Sequence, residues 1–396
     1  MTLSEELTWR GFVNQTTFKD ITELDKKQWT FYHGFDASAD SQTVGNLAGM
    51  MFDMTLIRHG FKAIVLAGGA TSLIGDPGGK DSERPLQDEK TIAHNVACAE
   101  KQLRRIYAGH DFTLVDNLDW TRNMTVIEFL RDVGKHFGMT SLIQRDYISR
   151  RLGEGGAGIS YTEFSYSLLQ GMDFLHLYDT YGATLEVGSS DQWSNCIAGI
   201  ELIRKARGAE AHVLTHPLVI NKATGKKFGK SEAGAIWLDS NKTSVFDFYQ
   251  FWLKADDEGV SDYLKVYTVL DKPTVDDIMD RFRQNPKERL AQKTLAFEVT
   301  KIVHGEDQAH AAEAATKSLF AGGPSELTPT VDIEAGTYSI VDLVVKAGLA
   351  TSNSDARRLF DQGGIRLNQQ KVEQDEVTIA SGDLLQAGKR KFVKIA

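Results

Sequence analysis

The chain has 396 residues with a formal net charge of −9, 41% hydrophobic and 25% charged side chains, a composition that fits a globular protein of two or three domains and argues against a disordered one. Its two cysteines, Cys98 and Cys196, lie far apart and form no CxxC spacing, which excludes a disulfide framework and a structural zinc site. The acidic balance argues against wholesale wrapping of nucleic acid, although a local basic surface can still bind RNA.

The opening MTLSEELTWRG carries acids where a secretory signal needs a basic end, and the best apolar run, AIVLAGG, is too short to span a bilayer. A cytoplasmic protein without membrane contact is expected. Residues 28–75 read as strand, helix, strand: WTFYHGF is aromatic and extended, NLAGMMFDMTLIRHG is helical and closed by Gly60, and KAIVLAGG is a short apolar run. This βαβ pattern predicts a parallel sheet, whose ligands sit at the carboxyl ends of strands. Those ends are glycine-rich here, in HGFDASADS and AGGATSLIGDPGGKDSER.

Further on, ATLEVG reads as a strand entering SSDQWSNCIAGIELIRKA, which turns helical through Ile197, Ile200 and Ile203. HVLTHPLVIN reads as another strand and empties into KATGKKFGKSEAG, rich in lysine and glycine with Phe228 as its one large apolar residue. Taken alone, that stretch is equally well explained as a solvated loop.

From about residue 245 the character becomes helical. NPKERLAQKTLAFEVTKIVHG predicts a helix with Asn285 as N-cap, Pro286 at its first position, Ala291, Leu295, Val299 and Ile302 on one stripe, and Gly305 closing it. Residues 321–336 read as a linker. In the last unit YSIVDLVVKAGLA puts Ile340, Leu343, Val344 and Ala347 on one helix face, SNSDARRLFDQGG is a capped helix ending at Gly363, and IRLNQQKVEQDEVTI is strand, turn, strand. From Thr351 onward eight Lys or Arg face six Asp or Glu, a net of +2 that leaves −11 elsewhere.

Several motifs fail on inspection. GEGGAG at 153–158 has the glycine spacing of a dinucleotide loop, but DYISRRL before it carries arginines where a buried strand should be apolar. IGDPGGKD lacks the first glycine and the Ser or Thr of a P-loop. No HExxH and no GxSxG occurs, so no metal ligands are expected.

Four segments, taken in order, resemble the bacterial-type tyrosyl-tRNA synthetases of class I. They are YHGFDASADSQTVGNL at 32–47, GGATSLIGDPGGKDSER at 68–84, YTEFSYSLLQGMDF at 161–174 with SSDQW at 189–193, and KFGKS at 227–231; SDARRLFDQGGIRLN is similar to an S4 RNA-binding domain. The resemblance implies an α/β fold: a Rossmann-like catalytic domain over 1–240 with a dimer-interface insertion near 120–165, a helical anticodon-binding-type domain over 241–320, a linker over 321–336 and an α+β S4-like domain over 337–396. It implies activation of L-tyrosine by ATP with Mg2+, transfer to tRNA(Tyr), no tightly bound cofactor and a homodimer.

The residues carry over one by one. Lys227 and Lys230, with Ser231 as hydrogen-bonding partner, match the mobile cations that meet the departing pyrophosphate, and Lys80 and Arg84 match cations on its other side. Tyr32 and Asp173 match the pair that binds the phenolic hydroxyl. Asp76, Tyr166 and Gln170, with Thr71, match the ligands of the ammonium group, and Gln192 a group near the carboxylate. Asp36 and Asp191 fall where the family contacts the ammonium end or the ribose, and Gly34 and Gly45 where ATP approaches the backbone. Tyr166, Gln170 and Asp173 also share one helix face by spacing. Arg357, Arg358, Arg366 and Lys371 are candidates for RNA phosphates.

The sequence departs from the family at the HIGH-type tetrapeptide, which reads TVGN from Thr43 to Asn46, while Ser38 keeps a hydroxyl where the family often has threonine. Asn46 keeps a donating amide, whereas the Thr43 hydroxyl is too short to replace an imidazole. Glu186 stands where a neutral amide is commoner. Two alternatives remain open on sequence: a paralogue that activates an amino acid for another acceptor, and an inactive RNA-binding relative.

Overall fold

A computed structural model describes residues 1–76, 87–144, 146–225, 227–231, 234–321, 330–388 and 391–396, without the side chains of residues 141, 146, 147, 230, 231 and 319–321. Contacts divide the chain into two compact units, Met1–Asp239 with Ala255–Leu295, and Ser240–Lys254 with Ala296–Ala396.

The first unit is built on six strands, β1 (Gln15–Thr16), β2 (Thr30–Phe35), β3 (Lys62–Ala67), β4 (Phe112–Asp116), β5 (Leu185–Ser189) and β6 (His212–His216). Their spatial order is β1-β6-β5-β2-β3-β4. β2 to β6 run parallel, and β1 closes the β6 edge antiparallel. The chain steps outward from β2 to β3 and β4, then returns to the other side of β2 for β5 and β6. The order therefore reverses between β2 and β5, which opens a crevice at their carboxyl ends.

Helices cover this sheet because the sequence between strands is apolar at the required spacing. α1 (Val44–Arg58) is buried at every position from Leu47 to Ile57, the pattern of a helix enclosed on all sides. α2 (Glu89–Ile106) is capped by Asp88, whose carboxylate accepts from the Thr91 N–H at 2.8 Å. α3 (Tyr161–Tyr181) starts at a Ser160/Glu163 capping box and ends at Gly182 in the left-handed region. α4 (Trp193–Arg207) carries Arg204, Lys205 and Arg207 in its last turn, where cations oppose the negative end of the helix dipole. The HVLTH strand stops at His216, one residue before Pro217, which has no N–H to continue the ladder. DYISRRL, preceding GEGGAG, is the helix Asp146–Leu152 and no strand.

Two long-range clasps tie α5 (Val260–Tyr267) into this unit. The Arg10 guanidinium, 3% exposed, donates to the carbonyls of Lys265, Thr268 and Leu270 at 2.5, 2.8 and 2.9 Å. Phe228 stacks on Tyr263 at 4.3 Å between ring centroids.

The helix expected to begin at Asn285 begins later. Pro286–Glu288 form a single 3-10 turn, Arg289 sits in the left-handed region (φ 54°), and the α-helix spans Leu290–His304. Side chains on both sides of the break reach back to one loop, Arg289 to the Ala255 carbonyl (3.3 Å) and Gln292 to Asp257 (2.6 Å), and these contacts outweigh the local Asn-Pro start signal.

In the second unit Phe248 of the helix Val245–Leu253 meets His304 edge-on, and Gln250 donates to Thr316 at 2.7 Å. Ile340, Leu343 and Val344 are fully buried on the helix Ile340–Lys346. Ser352 caps the helix Asn353–Asp361, and Gly363 follows with positive φ. Strands Ile365–Leu367 and Gln370–Lys371 turn through Asn368 and Gln369, both at positive φ, and join a five-stranded sheet. Glu376–Ile379 pairs instead with Gly336–Ser339.

Candidate active site

A cavity of about 400 Å3 occupies the crevice between the ends of β2 and β5. Its walls are the last residues of β2 and β5 with the turns after them, the first turns of α1, one face of α3, and Lys227 from the lysine stretch.

At its closed end lies a buried polar slot. Tyr32, next to Glu186 in the strand register, donates its hydroxyl proton to Glu186 Oε1 at 2.5 Å. Gln170 Nε2 donates to the same oxygen at 2.9 Å. Asp173 receives one donor on each oxygen, Trp120 Nε1 on Oδ1 and Asn117 Nδ2 on Oδ2, both at 2.9 Å. Burial pushes the Asp173 and Glu186 carboxyls up to about 7, and the hydrogen bonds they accept pull them back only part of the way. Burial and the nearby carboxylates also push the Tyr32 phenol well above its ordinary value.

Midway along the cavity Asp36 accepts from Thr71 Oγ1 (3.0 Å) and Tyr166 OH (3.1 Å), while Asp76 accepts from Gln192 Nε2 at 2.6 Å. These contacts leave two oriented carboxylates on the wall, a fit for an ammonium group.

The open end holds the TVGN tetrapeptide and the lysine stretch. Thr43 is the N-cap of α1; its N–H and its hydroxyl both donate to Asn46 Oδ1, at 3.0 and 2.8 Å. The Asn46 carbonyl is thereby occupied, and its NH2 is the group it can offer outward. Residues 236–238 run beside 42–44, with Val44 N–H on Ile236 O and Leu238 N–H on Gln42 O. Gly229 sits at φ +97°, where an added Cβ would lie 3.0 Å from the Gly45 nitrogen. The KFGKS segment therefore passes against the start of α1 at a distance only glycine allows. Lys227 Nζ lies 3.7 Å from Asp191.

Of the residues singled out in the sequence, Tyr32, Asp173, Gln170, Tyr166, Thr71 and Asp76 line this cavity together with Gln192, Asp36, Asp191, Gly34 and Ser38. Thr43, Gly45, Asn46 and Lys227 line it as well. Lys80 and Arg84 lie outside the described residues, as do the side chains of Lys230 and Ser231, whose backbone pairs with Gly234–Ala235. Arg357, Arg358, Arg366 and Lys371 belong to the second unit. There Arg357, Arg358 and Lys371 pair with Asp375, Asp355 and Glu373, and Arg366 donates to the Gln369 carbonyl.

Comparison with known proteins decides the family. The family of class I tRNA synthetases (W and Y) matches residues 24–321, and the tyrosine-tRNA ligase SYY-like C-terminal domain matches residues 323–394. The tyrosine-tRNA ligase of Bacillus caldotenax is 42% identical over 421 aligned residues, covering 100% of this chain and 99% of that one. This chain belongs to the class I tyrosyl-tRNA synthetase family. Another family member, the tyrosine-tRNA ligase of Bacteroides fragilis, is 41% identical over 100% of the chain and 99% of its own length. Among solved synthetases, a C-terminally truncated mitochondrial tyrosyl-tRNA synthetase of Aspergillus nidulans aligns with a TM-score of 0.72 at 29% identity, covering 80% of this chain and 94% of that one.

The structure of this family member adds wall residues that sequence reasoning missed. His33 Nδ1 meets Asp53 at 2.9 Å, and Tyr107 OH donates to the same carboxylate at 2.9 Å. Burial pulls the His33 imidazole down, but Asp53 outweighs it and the net shift is upward. His216, across from it, is driven down to about 4 by burial and by His33. Gly49 makes room for both rings, since a Cβ there would lie 2.9 Å from the His33 ring. One signal was available: Asp53 is an acid in the middle of an otherwise apolar helix. Asn117 and Trp120, which orient Asp173, carry no such local mark.

Proposed function

We infer that this chain is a tyrosine-tRNA ligase, which joins L-tyrosine to ATP as tyrosyl-adenylate with loss of pyrophosphate and passes the tyrosyl group to tRNA(Tyr). The observation that carries the reading is a cavity with a buried hydrogen-bonding slot at one end and both Lys227 and the first turn of α1 at the other.

In this reading the phenolic hydroxyl enters between Tyr32 and Asp173. Phenylalanine there would strip water from the Tyr32 hydroxyl and the Asp173 carboxylate and return no hydrogen bond, at a cost of about 1–3 kcal/mol. The substrate ammonium faces Asp36 and Asp76, which Thr71, Tyr166 and Gln192 hold in place. The substrate carboxylate then attacks the α-phosphorus, forming the acyl–phosphate bond as the bond to pyrophosphate breaks. Charge builds on the leaving oxygens, and Lys227 meets it, with Lys230, Lys80 and Arg84 assigned the same task by resemblance and Ser231 supporting them. The start of α1 presents the positive end of its dipole and the Asn46 amide to the same region. Thr43, committed to Asn46, positions that amide and does not reach a phosphate itself. ATP is taken as its magnesium complex, with the ion carried on the phosphates.

Holding the tRNA is assigned to the helical segment 241–320 and the terminal segment 337–396, with phosphates replacing Asp375, Asp355 and Glu373 as partners of Arg357, Arg358 and Lys371. These pairs are exposed, and exposed ion pairs contribute only about 0–1 kcal/mol, so exchange costs little. A homodimer through residues 120–165 is supported by Val126 and Ile127, which are 73% and 69% exposed, and by exposed Leu130, Met139, Ile143 and Leu152. Among the described residues no helix is long and apolar enough to cross a membrane; a cytoplasmic location is part of the proposal.

ATP–pyrophosphate exchange with each of the twenty amino acids, followed by charging of tRNA, tests the reading. Exchange confined to tyrosine with charging supports it. Exchange without charging would point to another acceptor, and no exchange with any amino acid would leave only an RNA-binding role.

A further inference from the structure

We propose that Glu186 is a positioning residue of the phenol slot that takes up one proton as tyrosine binds, so that Tyr32 can turn its own hydroxyl proton toward the substrate. This rests on the tyrosine reading above, and it follows from counting donors.

Asp173 already accepts an N–H on each oxygen, from Trp120 and Asn117. Neither donor can become an acceptor in that geometry, so Asp173 is held as an acceptor. The incoming hydroxyl has one proton, which it gives to Asp173, and its oxygen then needs a donor. Tyr32 is the available hydroxyl, but its single proton lies on Glu186 Oε1 at 2.5 Å. With Glu186 ionised, the Tyr32 oxygen and the substrate oxygen would face each other as two acceptors.

One proton resolves the conflict. Placed on Glu186 Oε1, it donates to the Tyr32 oxygen; Tyr32 then donates to the substrate oxygen, and the substrate donates to Asp173. No other bond forms or breaks, the proton comes from solvent, and the remaining lone pair of Oε1 still accepts from Gln170. Two observations favour Glu186 as the site. Its side chain is 1% exposed, its Oε2 has no hydrogen bond of ordinary length among the described residues, and the Cys196 thiol adds only a weak donor to the carboxylate, so the ionised form is poorly compensated. Burial pushes its carboxyl, like that of Asp173, up to about 7, so that one proton is gained at small cost near neutrality, and the two N–H donors fixed on Asp173 leave Glu186 to take it.

The groups facing Glu186 are consistent with this assignment. β2 brings Tyr32, held neutral by burial, and His33, which pairs with Asp53. α3 brings Asp173 and α4 brings Cys196, whose thiol burial pushes well above its ordinary value. β6 places Val213 opposite it. Asp173 adds a second negative charge to the slot, and one added proton relieves the repulsion.

The test is the pH dependence of the tyrosine KM in pyrophosphate exchange from about pH 6 to about 8.5, for the native chain and Glu186→Gln. The expected native KM is flat at low pH and climbs toward about tenfold per unit above about pH 7. Glu186→Gln, whose amide is a permanent donor to Tyr32 once Gln170 turns its own amide to match, should keep a flat tyrosine KM across the range. The ATP KM should show neither effect. A native tyrosine KM that stays flat, or an unchanged slope in Glu186→Gln, overturns the proposal. Should the variant not fold, calorimetry of tyrosine binding to the native chain at about pH 8 in two buffers of different ionisation heat reads the same quantity: uptake approaching one proton supports it, and none overturns it. Absence of any tyrosine activation would instead overturn the functional reading, whereas tyrosine activation with a flat profile overturns the proton coupling alone.

Discussion

The two ends of the cavity are built on opposite terms. At the closed end each working polar group is fixed by partners from distant elements: Asp173 by Asn117 and Trp120, and Tyr32 by Glu186. At the open end Lys227 pairs with Asp191 at 3.7 Å, and among the described residues KFGKS meets the Tyr263 ring through Phe228 and makes backbone contacts with Val219 and Ile236. Recognition of one hydroxyl demands donors and acceptors set in advance, because an error there leaves buried atoms unpaired. Meeting charge on a departing diphosphate requires cations that can travel with it. Rigidity is concentrated where selection occurs, and freedom where charge moves.

Substitutions at the two ends should therefore fail differently. Asp173→Ala strands two buried donors and removes the substrate's acceptor, so kcat/KM for tyrosine should fall by about 10³, the equivalent of about 4 kcal/mol; a loss below tenfold in pyrophosphate exchange would remove the closed end from the argument. Next comes the stability of Glu186→Gln. The folded carboxyl titrates near 7 against an ordinary 4.5, so its contribution is fully present below about 4.5 and is lost as pH rises through about 7. Unfolding at pH 5 and 8 should show the variant gaining on the native chain at the higher pH, by on the order of 3 kcal/mol at most.

The open end should respond in rate alone. Lys227→Ala is expected to lower kcat about thirtyfold while leaving the tyrosine KM within about twofold, the mark of an interaction made only in the transition state. Gly229→Ala, forced to hold φ +97° with a Cβ against Gly45, should cost about tenfold in kcat through about 1–2 kcal/mol of strain. A tyrosine KM change in either variant larger than its kcat change would erase the distinction between the ends.

Much of this site is legible in the sequence because it is local. Glycines mark the ends of α1 and α3, alternating and continuous apolar runs mark β2 and β3, and the i, i+4, i+7 spacing of Tyr166, Gln170 and Asp173 brings all three to one wall. What the sequence hides is pairing across the fold. Tyr32 and its acceptor Glu186 are 154 residues apart, and Asp173 is 56 residues from Asn117. No local pattern encodes such partners. The late start of the helix at Leu290 has the same origin, a tertiary contact to residues 255–257 overriding an Asn-Pro signal that a single 3-10 turn satisfies equally well. Thr43 shows the reverse case: its hydroxyl stays near home, bonded to a residue three positions on.

The Arg10 clasp gives the amino terminus leverage on catalysis. Its three carbonyl partners close the carboxyl end of α5, and α5 supplies the Tyr263 ring on which Phe228 rests. Trimming a dozen leading amino acids would slacken that support from behind, and turnover would suffer although nothing in contact with substrate had been altered.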